Sequence, residues 1–237
     1  MKWTLVTGGA KHLGSVICKR LAQDGLSVVV HYKTSEKEAQ QVVQECLHLG
    51  VDAECIQGDF SSFTSTQQFI SDYQKRFPDT LNLINIVGNY LLGSSLETSV
   101  EQWIDLLHTN FQAPYQLIRS CLPTLKKNQG SIINLGVTGL NSFRADTYDT
   151  AYAITKSSLL MLTKSLAVEL APFQVRVNMV SPGYLEEAID LPEDLSLLPM
   201  NRPATRIEVA DAIAFIISDK AKYITGQNLE VGGGLRL

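Results

Sequence analysis

Several classes of protein are excluded by what this sequence lacks. Its 237 residues contain four cysteines, scattered and without a C-x-x-C pair, which predicts no disulfide framework, no zinc site and no other metal site. No apolar run approaches the roughly 20 residues that a membrane-spanning helix needs. No basic run is present and the net charge is −4, so we expect neither nucleic acid nor a membrane as a partner.

The chain also lacks the marks of a secretory leader and of an interdomain linker. Residues 1–6 begin a strand pattern directly, without a long apolar stretch and a small-residue cleavage site. No stretch rich in Gly, Ser or Pro divides the chain, so residues 1–237 are predicted to form one domain. We therefore expect a cytoplasmic protein whose cysteines are reduced and mostly buried.

Short apolar, β-branched runs alternate with longer segments of helical periodicity. The predicted strands are residues 3–7, 27–31, 53–57, 83–87, 131–135, 175–180 and 228–231. The predicted helices are residues 12–24, 36–49, 64–76, 100–126, 150–171 and 208–218. This alternation favours parallel pairing through right-handed crossovers. It predicts a single doubly wound, Rossmann-type α/β domain with a mostly parallel sheet of about seven strands and ligands at their carboxyl ends.

A glycine-containing loop follows the first predicted strand. It reads Thr7-Gly8-Gly9-Ala10-Lys11-His12-Leu13-Gly14 and leads into a helix. Glycines allow the backbone to approach a pyrophosphate, and the helix amino terminus favours its negative charge. The spacing differs from the plain G-x-G-x-x-G form, so a tight strand-to-helix turn is the alternative interpretation. The candidate cofactor-binding residues here are Gly8, Lys11, His12, Leu13 and Gly14.

The end of the second predicted strand bears on the choice of cofactor. NAD-selective Rossmann proteins usually have an acidic residue there, which binds the ribose hydroxyls. This chain instead has His31-Tyr32-Lys33-Thr34-Ser35, with no acid before Glu36. Lys33 and Ser35 can bind a 2′-phosphate, which favours NADP(H) over NAD(H). The alternative is that Lys33 is an ordinary solvated lysine.

Two residues on the helix predicted at 150–171 form a candidate catalytic pair. Tyr152 and Lys156 are four positions apart and therefore share a face of the helix. A nearby ammonium should lower the pKa of a phenol, and such a tyrosine can donate a proton to substrate. Asn110, on the preceding helix, can hold a water that relays protons. Alone, each of these residues is equally typical of a helix surface.

In this order along the chain, these motifs resemble the short-chain dehydrogenase/reductase family. The resemblance also covers Asp59, Asn85-Ile86-Val87-Gly88, Pro182-Gly183 and Tyr223-Ile224-Thr225-Gly226. It implies that Asp59 contacts adenine, that Lys156 binds the nicotinamide ribose and that Tyr152 donates the proton. It also implies a homodimer or homotetramer. The further cofactor-binding candidates are Tyr32, Phe60, Val87, Gly88, Pro182 and Gly183.

The chain departs from the family pattern at a catalytic position. The family has a serine after the fifth strand; counting from Asn134 places Val137 at that position, and counting back from Tyr152 places Gly139 there. Thr138 and Ser142 are the nearby hydroxyls, and we take Thr138 as the candidate replacement. Without such a donor, polarisation of a substrate carbonyl is weakened.

Local similarities point to the pteridine reductase branch of the family. They include His31–Ser35, residues 110–115 and residues 220–226, and Tyr90 stands where that branch stacks an aromatic ring on the pterin. We therefore take Tyr90 and Tyr184 as candidate substrate contacts, with a substrate lid at residues 184–206.

Three functions are compatible with these residues. The first is an NADPH-dependent reductase of a C=N or C=O group in a small molecule, such as a pteridine. The second is a reductase of a 3-oxoacyl carrier-protein or another ketone. The third is an NADP(H)-binding regulator without catalytic activity, since a fold alone does not imply activity.

Overall fold

Seven parallel strands form one sheet in the order β3-β2-β1-β4-β5-β6-β7. The computed structural model describes residues 1–142 and 145–236. The strands are β1 (Trp3–Val6), β2 (Val28–Tyr32), β3 (Ala53–Gln57), β4 (Thr80–Asn85), β5 (Ser131–Leu135), β6 (Arg176–Pro182) and β7 (Asn228–Val231). The predicted doubly wound fold is thus confirmed, with every described pairing parallel.

Helices cover both faces of this sheet. They are α1 (His12–Gln23), α2 (Glu36–His48), α3 (Phe63–Arg76), α4 (Val100–Leu107), α5 (Ala113–Asn128), α6 (Thr150–Leu170) and α7 (Arg206–Ile217). One apolar cluster contains residues of α1, α2 and α7, and a second contains residues of α3, α5 and α6. The inner strands β1 and β2 are almost wholly buried and largely apolar because helices cover both of their faces, whereas the edge strands β3 and β7 keep exposed residues such as Glu54 and Leu229. Each fully buried Leu or Ile, such as Leu5 and Ile84, contributes roughly 1.5–3 kcal/mol to stability.

The predicted helix over residues 100–126 is confirmed as a helical segment, but it is not a regular α-helix throughout. A π-helical turn, His108–Gln112, separates α4 from α5. Pro114 lies in the first turn of α5 and has no N–H, so the carbonyl of Asn110 lacks its usual helical partner. Wider π-helical turns of this kind occur often at functional sites.

Two further features of the fold bear on the site. The fourth strand, predicted at 83–87, is β4 at Thr80–Asn85, which leaves Val87 and Gly88 in the loop beyond it. Of the four cysteines, Cys18, Cys46 and Cys121 are buried and Cys55 is half-buried, and all are unpaired. No helix in the described parts of the chain is long and apolar enough to cross a membrane.

Candidate functional site

The glycine loop closes tightly over the end of β1. Gly8 has a φ of +66°, and a Cβ atom on Gly14 would overlap the carbonyl oxygen of Gly8. Only glycine at position 14 therefore allows the start of α1 to pack against this turn. His12, at the family's middle glycine position, has a φ of +48°, which favours glycine over residues with a side chain. The backbone of this loop, together with the amino terminus of α1, suits the binding of a pyrophosphate.

The loop after β4 is fastened to the glycine loop. The Thr7 hydroxyl accepts hydrogen bonds from the backbone N–H groups of Ile86 (2.8 Å) and Val87 (3.2 Å). Val87 lies directly against Gly8, where an added Cβ would be 3.1 Å from Cγ2 of Val87. Val87 therefore lies beside the glycine loop, and that Val87 and Gly88 contact the cofactor stays a prediction.

His31 supports the glycine loop from below, a role that the sequence did not reveal. Its Nδ1 accepts a hydrogen bond from the backbone N–H of Gly8 (2.9 Å), and Nε2 lies 3.2 Å from the carbonyl oxygen of Gly58. Its ring stacks on Phe60, with ring centroids 4.3 Å apart. Burial lowers the pKa of His31 to about 4, so the ring is neutral near pH 7 and Nε2 is the donor. Phe60 is buried beneath the loop.

Basic side chains surround the carboxyl end of β2. Lys33 Nζ lies 3.0 Å from Oδ1 of Asp59, and Lys11 Nζ lies 2.7 Å from Oε1 of Glu38. Ser35 is the residue before α2. Tyr32 ends β2 and is partly buried. Both ammonium groups are exposed and lie in surface ion pairs, which are weak enough to give way to a phosphate.

Asn110 lies in the π-helical turn and forms hydrogen bonds with two other segments of the site. Its Oδ1 accepts a hydrogen bond from the backbone N–H of Asn89 (2.7 Å), and its Nδ2 donates to the carbonyl oxygen of Asn89 (2.9 Å) and to the Thr155 hydroxyl (3.1 Å). A Cβ atom on Gly88 would lie 3.1 Å from Oδ1 of Asn110 and 3.2 Å from Nζ of Lys156. Asn110 thus holds the loop after β4 against α6, close to Lys156.

Lys156 is buried and Tyr152 is partly buried on the same face of α6. Lys156 Nζ donates to the carbonyl oxygen of Leu135 (2.8 Å) and lies 5.6 Å from the centroid of the Tyr152 ring. Burial lowers the pKa of Lys156 to about 8. Burial, with the charges of Asp149 and Asp190 adding to it, raises the pKa of Tyr152.

The expectation that Lys156 lowers the pKa of Tyr152 is therefore wrong for the structure as it stands. The ammonium group of Lys156 is desolvated and donates a hydrogen bond to the carbonyl oxygen of Leu135. It faces the ring of Tyr152. A raised pKa keeps the phenol protonated near pH 7, which is the form that a proton donor requires.

The segment after β5 carries the position at which the family has a serine. Val137 is half-buried there. Thr138 is buried, its backbone N–H donates to the carbonyl oxygen of Pro182 (3.1 Å), and its methyl group packs against Gly232. Gly183 lies against the same glycine. That Thr138 takes the role of the serine stays a prediction.

Tyr90 forms one wall of the space in front of Tyr152. The two rings meet edge to face with centroids 4.8 Å apart. The Tyr90 hydroxyl donates to Oδ2 of Asp190 (2.7 Å), which lies in the 184–206 segment predicted as a lid. Glu187 of the same segment binds Arg206 and lies 3.2 Å from Nδ1 of His12. The segment beginning at Tyr184 therefore extends over both the glycine loop and the substrate side.

The predicted site residues thus come together at the carboxyl ends of the strands, where a doubly wound sheet binds its ligands. The chief residues that the sequence did not single out are His31, Thr155, Asp149 and Asp190. A histidine at the end of a buried strand was the only available signal for His31. Thr155 and Asp190 act through contacts with distant segments, whereas Asp149 lies three residues before Tyr152, at a position that no motif marks.

Comparisons with known proteins agree with this geometry. The family described as enoyl-(acyl carrier protein) reductase matches residues 8–236. The 3-oxoacyl-[acyl-carrier-protein] reductase FabG of Staphylococcus aureus is 33% identical over 246 residues, covering 99% of this chain and 98% of the relative. The 2,5-dichloro-2,5-cyclohexadiene-1,4-diol dehydrogenase LinX of Sphingobium indicum is 33% identical over 241 residues, covering 98% and 95%.

The solved structures lead to the same fold. A blue fluorescent protein from a metagenomic library, in complex with NADPH, superimposes with a TM-score of 0.91 at 27% identity, covering 100% of this chain and 98% of that protein. The acetoin dehydrogenase YohF of Salmonella typhimurium superimposes with a TM-score of 0.89 at 27% identity, covering 99% and 96%.

Proposed function

Because this chain belongs to the short-chain dehydrogenase/reductase family, we propose that it is an NADPH-dependent reductase of a C=O or C=N group in a small molecule. The observation that carries the proposal is the assembly of Tyr152, Lys156 and Asn110 against the glycine-lined crevice. NADPH supplies a hydride to the substrate when it is bound.

The chain's own residues prepare the proton transfer. Tyr152 is a neutral phenol at the substrate side and donates its proton to the oxygen or nitrogen that develops negative charge. Lys156 binds the ribose hydroxyls from the inner face of α6. Asn110 keeps the loop of Asn89 in place, so that the wall formed by Tyr90 faces Tyr152. The hydrogen bond from Tyr90 to Asp190 ties the 184–206 segment to the substrate side of the site.

Two substrate classes have specific support. The FabG relatives favour a 3-oxoacyl carrier-protein thioester. The position of Tyr90 beside Tyr152 favours a flat ring such as a dihydropteridine, which stacks on an aromatic side chain. We test both by measuring NADPH oxidation with each compound and without substrate. Tight NADPH binding with no turnover of either would favour the regulator, in which Val137 in place of the serine has removed catalysis.

The preference for NADP(H) is tested at Lys33. Lys33→Ala removes the ammonium group at the end of β2, so we expect the Kd for NADPH to rise about tenfold and the Kd for NADH to change by less than about twofold. Fluorescence titration of both cofactors measures this difference. Lys37→Ala, an exposed lysine on α2, is the matched control and should leave both values unchanged. An equal loss for both cofactors would contradict the assignment of Lys33 to the 2′-phosphate.

We also propose that the protein assembles as a homodimer or homotetramer. Members of its family are commonly oligomeric. Large apolar side chains are exposed along α4, α5 and α6, namely Ile104, Tyr115, Ile154, Met161 and Val168. An exposed apolar face of this kind is typical of an interface between copies.

Met161→Glu should therefore dissociate the oligomer, because it places a charge in the proposed apolar interface. Light scattering after size-exclusion chromatography measures the mass directly. Phe63→Glu alters another exposed apolar residue, on α3, and should leave the mass unchanged. A wild-type monomer, or an unchanged oligomer in Met161→Glu, would contradict the assigned interface.

A further inference from the structure

A buried carboxyl group beside Tyr152 has an oxygen without a partner. Asp149 immediately precedes α6, one helical turn before Tyr152, and is only 3% exposed. Within residues 1–142 and 145–236, its Oδ1 is buried and has no hydrogen-bond partner. An unpaired buried carboxylate costs free energy, so this group needs an explanation.

The start of α6 does not provide that explanation. Asp at this position usually accepts a hydrogen bond from a backbone N–H in the first turn of the helix. The Asp149 side chain makes no such bond. Its backbone is fixed instead, because its N–H donates to Oδ1 of Asp146 (3.1 Å) and its carbonyl oxygen accepts from the N–H of Ala153 (2.9 Å). The backbone of Asp149 is thus fixed, and its carboxyl group interacts with the side chain of Asp146 rather than capping the helix.

The carboxyl group of Asp149 belongs to the substrate side of the site. Gly93, in the loop after Tyr90, pairs with Asp149 as an isolated β-bridge. Burial is the main cause of the raised pKa values of Tyr90, Tyr152 and Tyr184, and the charge of Asp149 adds to each of them. Asp149 therefore lies near these three phenols, on the side of the site where the substrate is expected.

The surroundings of Asp149 favour a positively charged ligand. Asp146 and Asp190 contribute two more carboxyl groups, and Arg236 lies 3.9 Å from Asp146. Burial and the neighbouring Asp146 raise the pKa of Asp149 to about 6, so its carboxyl group is mostly ionised near pH 7.5. The part of the chain that the structure describes contains no group of three side chains able to hold a metal ion. An organic cation with N–H donors fits this chemistry better.

We propose that Asp149 is a specificity-determining residue that binds a protonated amino or amidine group of the substrate. This inference rests on the proposed function, since it places the substrate beside the contacting rings of Tyr90 and Tyr152. The substrate is then a carbonyl or imine compound that carries a cationic N–H donor group. A neutral acyl thioester lacks that group and leaves the Asp149 carboxylate unpaired, which disfavours its binding.

A pair of flat probes of nearly equal shape tests this inference by equilibrium binding. 2,4-Diaminoquinazoline carries N–H donors and binds a proton, whereas 2,4-dimethylquinazoline has methyl groups in their place. We expect the wild-type protein, with and without NADP(H), to bind the diamino probe at least about tenfold more tightly by calorimetry. Asp149→Asn keeps the side-chain shape and should reduce this preference to less than about threefold.

Two further variants make the result decisive. Asp52→Asn alters an exposed aspartate before β3 and should keep the full preference. Asp149→Ser, which suits the start of a helix, must repeat the loss if Asp149→Asn folds poorly. The inference is overturned if wild type shows no preference or if both Asp149 variants retain it. Because this readout needs no turnover, failure of the reductase proposal would appear separately, as NADPH that is never oxidised by any substrate.

Discussion

Replacing Tyr152 with Phe is expected to lower turnover about 1,000-fold while leaving NADPH affinity within about twofold of wild type. The variant keeps the ring, which contacts Tyr90 edge to face, and removes the only atom that carries the transferred proton. Because the phenol of wild type is protonated near pH 7, it has a proton to give over the whole neutral range. Single-turnover oxidation of NADPH separates this loss from any change in binding.

Tyr223→Phe is the matched control for that variant. Tyr223 is fully exposed, so loss of its hydroxyl should leave turnover unchanged. If Tyr152→Phe retained most of its activity, Tyr152 would not be the proton donor, and the assignment of the catalytic pair would fail.

Lys156→Met should lower turnover and raise the free energy of unfolding. The ammonium group contributes to the site, but its burial destabilises the folded protein. Turnover should fall by at least about 100-fold, since no ammonium group remains to bind the ribose hydroxyls. The free energy of unfolding at pH 7 should rise by about 1–2 kcal/mol, because a buried charge costing about 3 kcal/mol is removed and the hydrogen bond to Leu135 is lost. Chemical denaturation measures this gain.

The sign of the stability change with pH follows from the lowered pKa of Lys156. In the folded protein the pKa is about 8, and in the unfolded chain it is about 10.4. Between these values the unfolded chain binds more protons, so this group makes the folded protein more stable as the pH rises through that range. Wild type should therefore gain stability from pH 8 to pH 10 relative to Lys156→Met.

Lys164→Met, at an exposed position of α6, should change the free energy of unfolding by less than about 0.5 kcal/mol and give no such difference with pH. A Lys156→Met variant that is less stable than wild type at pH 7 would show that the buried ammonium group supports the fold.

Local patterns in the sequence were enough to predict the sheet, the glycine loop and the positions of Tyr152 and Lys156. Each depends on residues that are close together in the chain, such as the glycines that permit the turn between β1 and α1. The family model and the relatives confirm the family to which these motifs pointed.

The remaining features depend on contacts between distant segments. His31 supports Gly8 only because β2 lies beside β1, and Asn110 reaches Asn89 only because a π-helical turn interrupts the predicted helix. Pro114 lies next to that turn, but a proline inside a helical pattern does not by itself predict a π-helical turn. The raised pKa of Tyr152 follows from burial and from Asp149 and Asp190, and Asp190 is remote from Tyr152 in the sequence.

The central claim is that this protein moves a hydride from NADPH to its substrate, with a proton from Tyr152. It is tested most directly with NADPH that carries deuterium at the transferred position of the nicotinamide ring, incubated with whichever of the two substrate classes is reduced. We predict one deuterium on the reduced carbon of each product molecule, detected by mass spectrometry, and labelled product that forms about 1,000-fold more slowly with Tyr152→Phe. NADPH oxidation that leaves no deuterium in the product, or labelled product formed equally fast by the variant, would contradict this account.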